Sequence, residues 1–356
     1  MTAGGPTIRR GGPPRVAVIG AGPAGGAAAI LLARKGYAVT LVERQRFPRV
    51  KVCGEYISPA GTGALEAVLP PEDLAAAGAR RCTVLALECG GRSVERRTPP
   101  AWVLSRMTLD ALLADRARGA GAEVVQPGVV REVEYPEGEN AGDGGDGGGG
   151  AWRPVRVRLA DRGLAAEFVV HADGSGRLDP AGRVPEARGV LGHKCHVRLD
   201  ALPERERRGV RMRAGADAYV GTVAVEGGLA TLALVAGAGL LKAERGDADA
   251  MAARLWPAFR PEWRATAWKT SAVPRSGYIE PGHAASVRLG NAAAAVDPVG
   301  GEGIGLALWS AWVFCAALPP GDAWTPGALA HAKARLAGAY RRRLRWRRPA
   351  CRLAAE

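Results

Sequence analysis

The sequence predicts an α/β protein with an α+β second domain: one domain on a parallel sheet, the other on a mostly antiparallel one. Three observations carry this expectation. Residues 16–34 run from an apolar strand through a glycine turn into a helix. A second apolar strand follows at 37–42, completing a β-α-β unit, which requires a parallel pair and a right-handed crossover. From about 190 to 236 the texture changes to short apolar-polar segments divided by turn residues, as in an antiparallel sheet.

The elements follow in order. Residues 1–14 are rich in Gly and Pro and read as a loose lead-in. Ser58-Pro59 is an N-cap followed by proline at the first helical position, which predicts a helix through Leu69. Leu109, Leu112, Leu113 and Ala117 have helical spacing, and a short strand follows at 123–126. Strands at 129–135 and 155–159 flank a low-complexity stretch, 138–150, read as a flexible hairpin loop. A strand at 168–172 ends at Asp173-Gly174. Strands at 190–199, 219–225 and 229–235 form the second sheet, the last two joined by a turn at Glu226-Gly227-Gly228. A strand at 287–289, a glycine-rich stretch near 300, a helix to about 318 and a final basic helix over 327–348 complete the chain.

Bulk composition excludes several classes. The chain has 356 residues, 47% of them hydrophobic, with a formal charge of +14. That charge raises the expectation of acidic partners, but no nucleic-acid module surrounds its densest block, Arg341 to Arg352, so no nucleic-acid partner is expected. That block reads as a solvated helix face, with docking to an acidic carrier or membrane surface as the alternative. Six cysteines without CxxC spacing point to reduced thiols, no metal site and a cytoplasmic location. No signal peptide is read in the opening residues, and no apolar stretch is long enough to span a membrane. His193-Lys194-Cys195-His196 offers two candidate ligands per strand face, too few for zinc. One of those faces is expected to look toward a substrate cavity.

The strongest motif is Gly20-Ala21-Gly22-Pro23-Ala24-Gly25. Such a GxGxxG between strand and helix lets the turn tighten, a pyrophosphate approach the backbone, and the helix pack on the strand. The helix N-terminus then presents free amides and a positive dipole end to phosphate. Glu43 ends the next strand, where a carboxylate accepts hydrogen bonds from an adenosine ribose and repels a 2′-phosphate. The domain is therefore Rossmann-like and its ligand FAD or NAD.

Further stretches separate those two. They are Glu43-Arg44, Leu104-Ser105-Arg106 with Leu109-Asp110, Ala172-Asp173-Gly174, and Leu289 to Ala293 followed by Asp297 to Gly305. With the glycine motif they resemble the flavoprotein monooxygenases of the p-hydroxybenzoate hydroxylase type and their geranylgeranyl reductase relatives, over about 15–318.

The resemblance implies FAD as cofactor, with NADH or NADPH as a transient reductant. It implies that Arg106 contacts the ribityl or phosphate region and that Asp173 bridges cofactor and sheet. Gly290 and Asn291 would reach the ribityl chain, and the loop Pro298, Gly301, Gly303, Ile304 would lie beside the flavin ring. Val130 is counted among the cofactor contacts. Amides of Gly303 and Ile304 at a helix start would favour the negative charge of reduced flavin. Asn291 departs from the usual Asp, which bears on how tightly FAD is retained. Lys51-Val52-Cys53-Gly54-Glu55 resembles a segment near the flavin's reactive face in the reductase branch. Cys53 is a candidate thiol and Glu55 a candidate acid or base, against a plain solvated loop.

On this reading 12–78, 101–189 and 280–320 form the FAD-binding domain, 79–100 and 190–279 the substrate domain, and 321–356 a C-terminal basic helix. Trp268 to Pro274 does not match the WxWxIP of flavin-dependent halogenases, so halogenation is disfavoured. Three functions remain. The first is a monooxygenase using NAD(P)H and O₂ on a small organic substrate, free or carrier-bound. The others are a reductase or dehydrogenase of the geranylgeranyl reductase type, and a flavoprotein-like module without turnover.

Overall fold

A computed structural model describes residues 12–136 and 153–345. Strand Arg15–Ile19 forms the middle of a parallel five-stranded sheet ordered Ser286–Arg288, Phe168–His171, Arg15–Ile19, Ala38–Val42, Glu123–Val125. Its near-continuous apolar run has the physical reason typical of parallel sheets, which are covered on both faces. Val16, Val18, Val39, Leu41, Phe168 and Val170 point to one face. They pack there with helices Pro23–Arg34, Arg106–Gly119, Gly303–Ala317 and Pro326–Arg345. The alternate residues Ala17, Ile19, Val42 and Val169 point to the other face. They meet a small antiparallel sheet of Val130–Glu134, Val155–Leu159 and Gly163–Ala166. The 138–150 stretch lies outside the described residues, but its flanking strands pair antiparallel, Val133 opposite Val157.

Helix Gly303–Ala317 has no polar stripe because neighbouring helices cover most of it, leaving Trp312 exposed. At its start it crosses helix Pro59–Glu66 so closely that a Cβ on Gly61 would lie 2.3 Å from the Gly305 Cα. Helix Pro59–Glu66 stops short of the expected Leu69. Only turn hydrogen bonds continue to Leu69, and Pro70-Pro71 follow, unable to extend it.

The second sheet has eight strands, in the order Lys269–Pro274, Glu186–Arg198, Leu229–Ala236, Ala218–Ala224, Val210–Ala214, Arg80–Cys89, Arg92–Val103, Tyr56–Ile57. Every pair is antiparallel except Val210–Ala214 with Arg80–Cys89. The long hairpin Arg80–Cys89 and Arg92–Val103 was not expected as strands. Its Gly90-Gly91 corner has both φ angles positive, +56° and +77°, as a tight two-residue hairpin turn requires. Side chains alternate across this sheet. Cys195, Val197, Leu232 and Leu234 face a core closed by helices Ala238–Ala243 and Ala248–Leu255 with Trp256 and Phe259. Lys194, His196 and Thr231 face the opposite way, toward the loop at 51–55.

Candidate active site

The glycine turn is held by contacts that exclude side chains. Gly20 has φ +98°, and a Cβ there would lie 2.7 Å from the Ala172 carbonyl oxygen. On Gly25 a Cβ would come within 1.8 Å of the Gly20 oxygen. The helix therefore begins directly on the turn. Its N-cap, Gly22, has no side chain to satisfy the first amides, with Pro23 at the start of the first turn. No side chain caps these first amides, as a helix-terminal anion site requires.

Two guanidinium groups converge on that site. From the position of a Cβ on Gly22, Arg106 Nη2 is 3.4 Å away and Arg49 Nη2 3.9 Å. Arg106 grips Asp110 with two bonds of 2.8 Å. Burial lowers the Arg106 pKa, yet the Asp110 carboxylate outweighs it and the net shift is upward. Arg49 lies 3.1 Å from Asp110 Oδ2 and 3.4 Å from Glu43 Oε2. Its Nε and Nη1 are buried without a hydrogen-bond partner. Burial lowers the pKa of Arg49 and of the neighbouring Lys51. Orphaned donors beside free helix amides fit a diphosphate, whose oxygens accept from both.

Glu43 is buried at the end of its strand and accepts from the Ala21 amide at 3.1 Å and the Gln45 amide at 3.0 Å. Arg44 is exposed, and Val130 opens the small sheet opposite Leu159. Asp173 turns inward on its own loop, accepting from Ser175 Oγ at 2.6 Å and the Gly176 amide at 3.0 Å.

The late chain segments arrive beside the turn. A Cβ on Gly290 would lie 3.0 Å from the Ala24 Cβ and 3.3 Å from the Ala307 Cβ, so Gly290 sits between the first helix and Gly303–Ala317. Buried Arg288 ties two loops together. It donates to the Ala292 carbonyl at 3.1 Å and to Asp179 at 3.0 Å, next to the Asp173 loop. Asn291 is exposed at this corner. Asp297 caps the short turn Pro298–Gly300 through the Val299 amide at 2.9 Å. Gly301, at φ +62°, packs against the Tyr56 ring. Gly303 is exposed, with open space where a side chain would be, and Ile304 is buried behind it. An open approach to a helix start fits a flat ring laid against the backbone.

In the loop at 51–55, Lys51, Val52 and Cys53 are half-buried and Gly54 is exposed, but Glu55 does not face water. Glu55 is fully buried and carries φ +58°. Its carboxylate accepts from the Arg106 amide at 2.7 Å and from His196 Nε2 at 2.9 Å, and also from Lys194 Nζ and Thr231 Oγ1. Burial pushes its pKa up, but the His196 hydrogen bond and the Lys194 charge prevail, holding it at about 2. Cys53 is half-buried, its Sγ accepting from the Glu55 amide at 3.3 Å.

The structure thus brings together the glycine turn, Glu43, Arg106, Gly290 and the Gly303 helix start. Arg49, Arg288, Lys194, His196 and Thr231 were missed as site residues. Only His196 and Lys194 left a trace, through their shared strand face. Among the described residues no group of three or more His, Cys, Asp or Glu could hold a metal ion, and no helix is long and apolar enough to cross a membrane.

This fold and site define a protein with an FAD-binding domain. Residues 14–176 match the family model described as FAD binding domain. Over 131 residues the chain is 37% identical to a chloroplastic geranylgeranyl diphosphate reductase of Oryza sativa subsp. japonica, covering 35% of this chain and 27% of that enzyme. It is 47% identical over 51 residues to a menaquinone reductase of Mycolicibacterium smegmatis, 14% of this chain and 12% of the relative. The chain thus spans about a quarter or less of the length of these curated relatives. Among solved structures, P. aeruginosa PqsL in complex with 2-aminobenzoylacetate superposes with TM-score 0.74 at 21% identity, over 91% of this chain and 92% of that one. The myxobacterial halogenase CndH superposes with TM-score 0.72 at 20% identity, over 93% and 80%. These likenesses establish the fold. Over residues 14–176 the chain is similar to FAD binding domains, and its overall fold is shared with PqsL and CndH.

Proposed function

We propose that this protein is a monooxygenase that draws electrons from NADH or NADPH and uses O₂ on a small, largely apolar organic substrate. The observation that carries the substrate class is a row across the larger sheet. Val94, Leu87, Met212, Gly221, Ala233 and Lys194 are direct cross-strand partners in sequence, so their side chains share one face. Leu85, Leu87 and Val94 expose 38, 45 and 48% of their surface on this face. An apolar wall leading to the Glu55 region suits an apolar ligand. The near-complete overlap with PqsL, described as a probable FAD-dependent monooxygenase, supports the reaction class. The reductase reading is favoured by the 37% identity to the rice reductase in the matched stretch.

In this assignment Arg49, Arg106 and the amides after Gly22 hold the FAD diphosphate, and Glu43 takes the adenosine ribose. Asp173, Gly290 and Asn291 border the ribityl chain, with Arg44 and Val130 nearer the adenosine end. Pro298, Gly301, Gly303 and Ile304 line the ring. Bound flavin supplies the hydride and oxygen chemistry. The Gly303 helix start stabilises negative charge there, and the sheet face excludes water and orients the substrate. Glu55, ionised and saturated with donors, serves as a fixed anion and not as a proton-transfer group.

Purified protein supplied with FAD should show a bound-flavin spectrum that NADH or NADPH bleaches without air and air restores. Substrate-dependent oxygen uptake marks the monooxygenase. Turnover that proceeds equally without oxygen would establish the reductase instead. Arg49→Met is expected to weaken FAD binding roughly 10- to 100-fold, a charge-assisted hydrogen bond being worth about 1.5–3 kcal/mol. An unaltered FAD titration would remove Arg49 from the diphosphate site.

A further inference from the structure

We propose that Glu55 is a positioning residue that locks the substrate-bearing sheet to the arm holding the cofactor diphosphate, so that residues of the sheet set how FAD is bound without touching it. This rests on the FAD site assigned above. One carboxylate joins elements that are otherwise far apart in the chain. Oxygen Oε1 takes the Lys194 ammonium and the Arg106 amide, and Oε2 takes the Thr231 hydroxyl and His196 Nε2. Four donors fill the acceptor capacity of a carboxylate.

The partners fall on two sides. Arg106 is the first residue of helix Arg106–Gly119, and its guanidinium reaches the Gly22 turn. Lys194 and His196 belong to strand Glu186–Arg198, and Thr231 to its neighbour Leu229–Ala236, where it stands directly opposite His196. Any displacement of those strands relative to the helix stretches bonds to the same two oxygens. The loop leading to Glu55 is fixed to the same strand at a second point. A Cβ on Gly192 would lie 3.3 Å from Val52 Cγ1, so the loop lies directly on the backbone there. Glu55 also holds φ +58°, a left-handed conformation uncommon outside glycine. A non-glycine residue keeps such a backbone when its surroundings over-determine it. Four bonds and full burial do so here. After Glu55 the chain turns at once to Tyr56, whose ring supports Gly301 of the loop assigned to the flavin ring. The same anchor therefore bears on both the diphosphate and the ring of the cofactor.

The test compares FAD affinity and the visible circular dichroism of bound flavin in the wild type, Thr231→Val, Lys194→Met and Thr222→Val. Thr222 is a buried threonine on the other face of the same sheet, opposite Leu232, and serves as the control for a generally loosened sheet. The expected result is a dissociation constant raised roughly 3- to 10-fold in Thr231→Val, the size of coupling through one shared hydrogen-bond network. Lys194→Met should raise it further, with an altered dichroism band in both, while Thr222→Val binds FAD as the wild type does. Wild-type affinity and dichroism in Thr231→Val would overturn the proposal, as would an equal loss in Thr222→Val. Should Lys194→Met not fold, Thr231→Val decides alone. A wild type that binds no FAD overturns the cofactor reading, and the proposal with it.

Discussion

Gly25→Ala is expected to abolish practical FAD binding, raising the dissociation constant at least about 100-fold, which is about 2.8 kcal/mol. The added Cβ would sit 1.8 Å from the Gly20 carbonyl oxygen, which is backbone and cannot swing aside. The helix start must back away from the turn, or the turn must open. Either movement withdraws the amides after Gly22 from the position where they meet a phosphate, because a helix terminus acts on charge only within its first turn. Overpacking of this kind also costs about 1–3 kcal/mol of stability. Fluorescence titration of FAD and a thermal melt of the apoprotein measure the two effects. Gly63→Ala is the control. Gly63 lies within helix Pro59–Glu66 with no atom within 4 Å of a new Cβ, so alanine should stabilise the helix by up to about 1 kcal/mol. Equal FAD affinity in Gly25→Ala and wild type would remove the turn from the cofactor site.

Glu55→Gln carries the second large effect. The substitution keeps the shape but leaves the Lys194 ammonium, 1% exposed, without its counter-charge. Breaking one side of a buried pair costs about 3–5 kcal/mol, because the remaining charge stays out of water. Chemical denaturation should register a loss of that size. A shift below about 1 kcal/mol would mean that water reaches Lys194 in the folded protein. The same group sets an acid limb. The Glu55 pKa falls from 4.5 to about 2: burial raises it, and the His196 bond and Lys194 charge more than reverse that. A depressed carboxylate stabilises the fold fully above its unfolded pKa and loses that contribution as pH falls through the folded one. Wild-type stability should therefore decline between about pH 4.5 and 2 with a component that Glu55→Gln lacks. Parallel acid limbs in the two proteins would contradict the assignment.

Much of the cofactor domain was legible in the chain because its signals are local. A glycine turn between an apolar strand and a helix specifies itself within about ten residues. So does Pro59 at the first position of its helix, although the Ser58 side chain makes no capping hydrogen bond there. The Arg80–Cys89 and Arg92–Val103 hairpin was less legible. Its residues are mostly exposed and rich in arginine, so the apolar alternation that marks a strand is faint. Gly90-Gly91 was the available signal, since paired glycines are the residues that turn a two-residue hairpin. Arg49 and Arg288 read as ordinary basic residues in a chain carrying 49 Lys and Arg, and only burial distinguishes them.

By itself the sequence determined the β-α-β unit, the glycine turn between its first strand and helix, and the alternation that sets Lys194 and His196 on one strand face. Each follows from steric or hydrogen-bonding rules acting over a few residues. Only the tertiary structure decided that Glu55 is a buried anion meeting that face, and that Arg49 is buried beside Gly22 with its Nε and Nη1 left without partners. Those depend on groups 139 and 141 residues apart in one case and on burial in the other. The charge state and role of an ionisable side chain are set by the water it loses and the partners it gains, and neither is written in its neighbours along the chain.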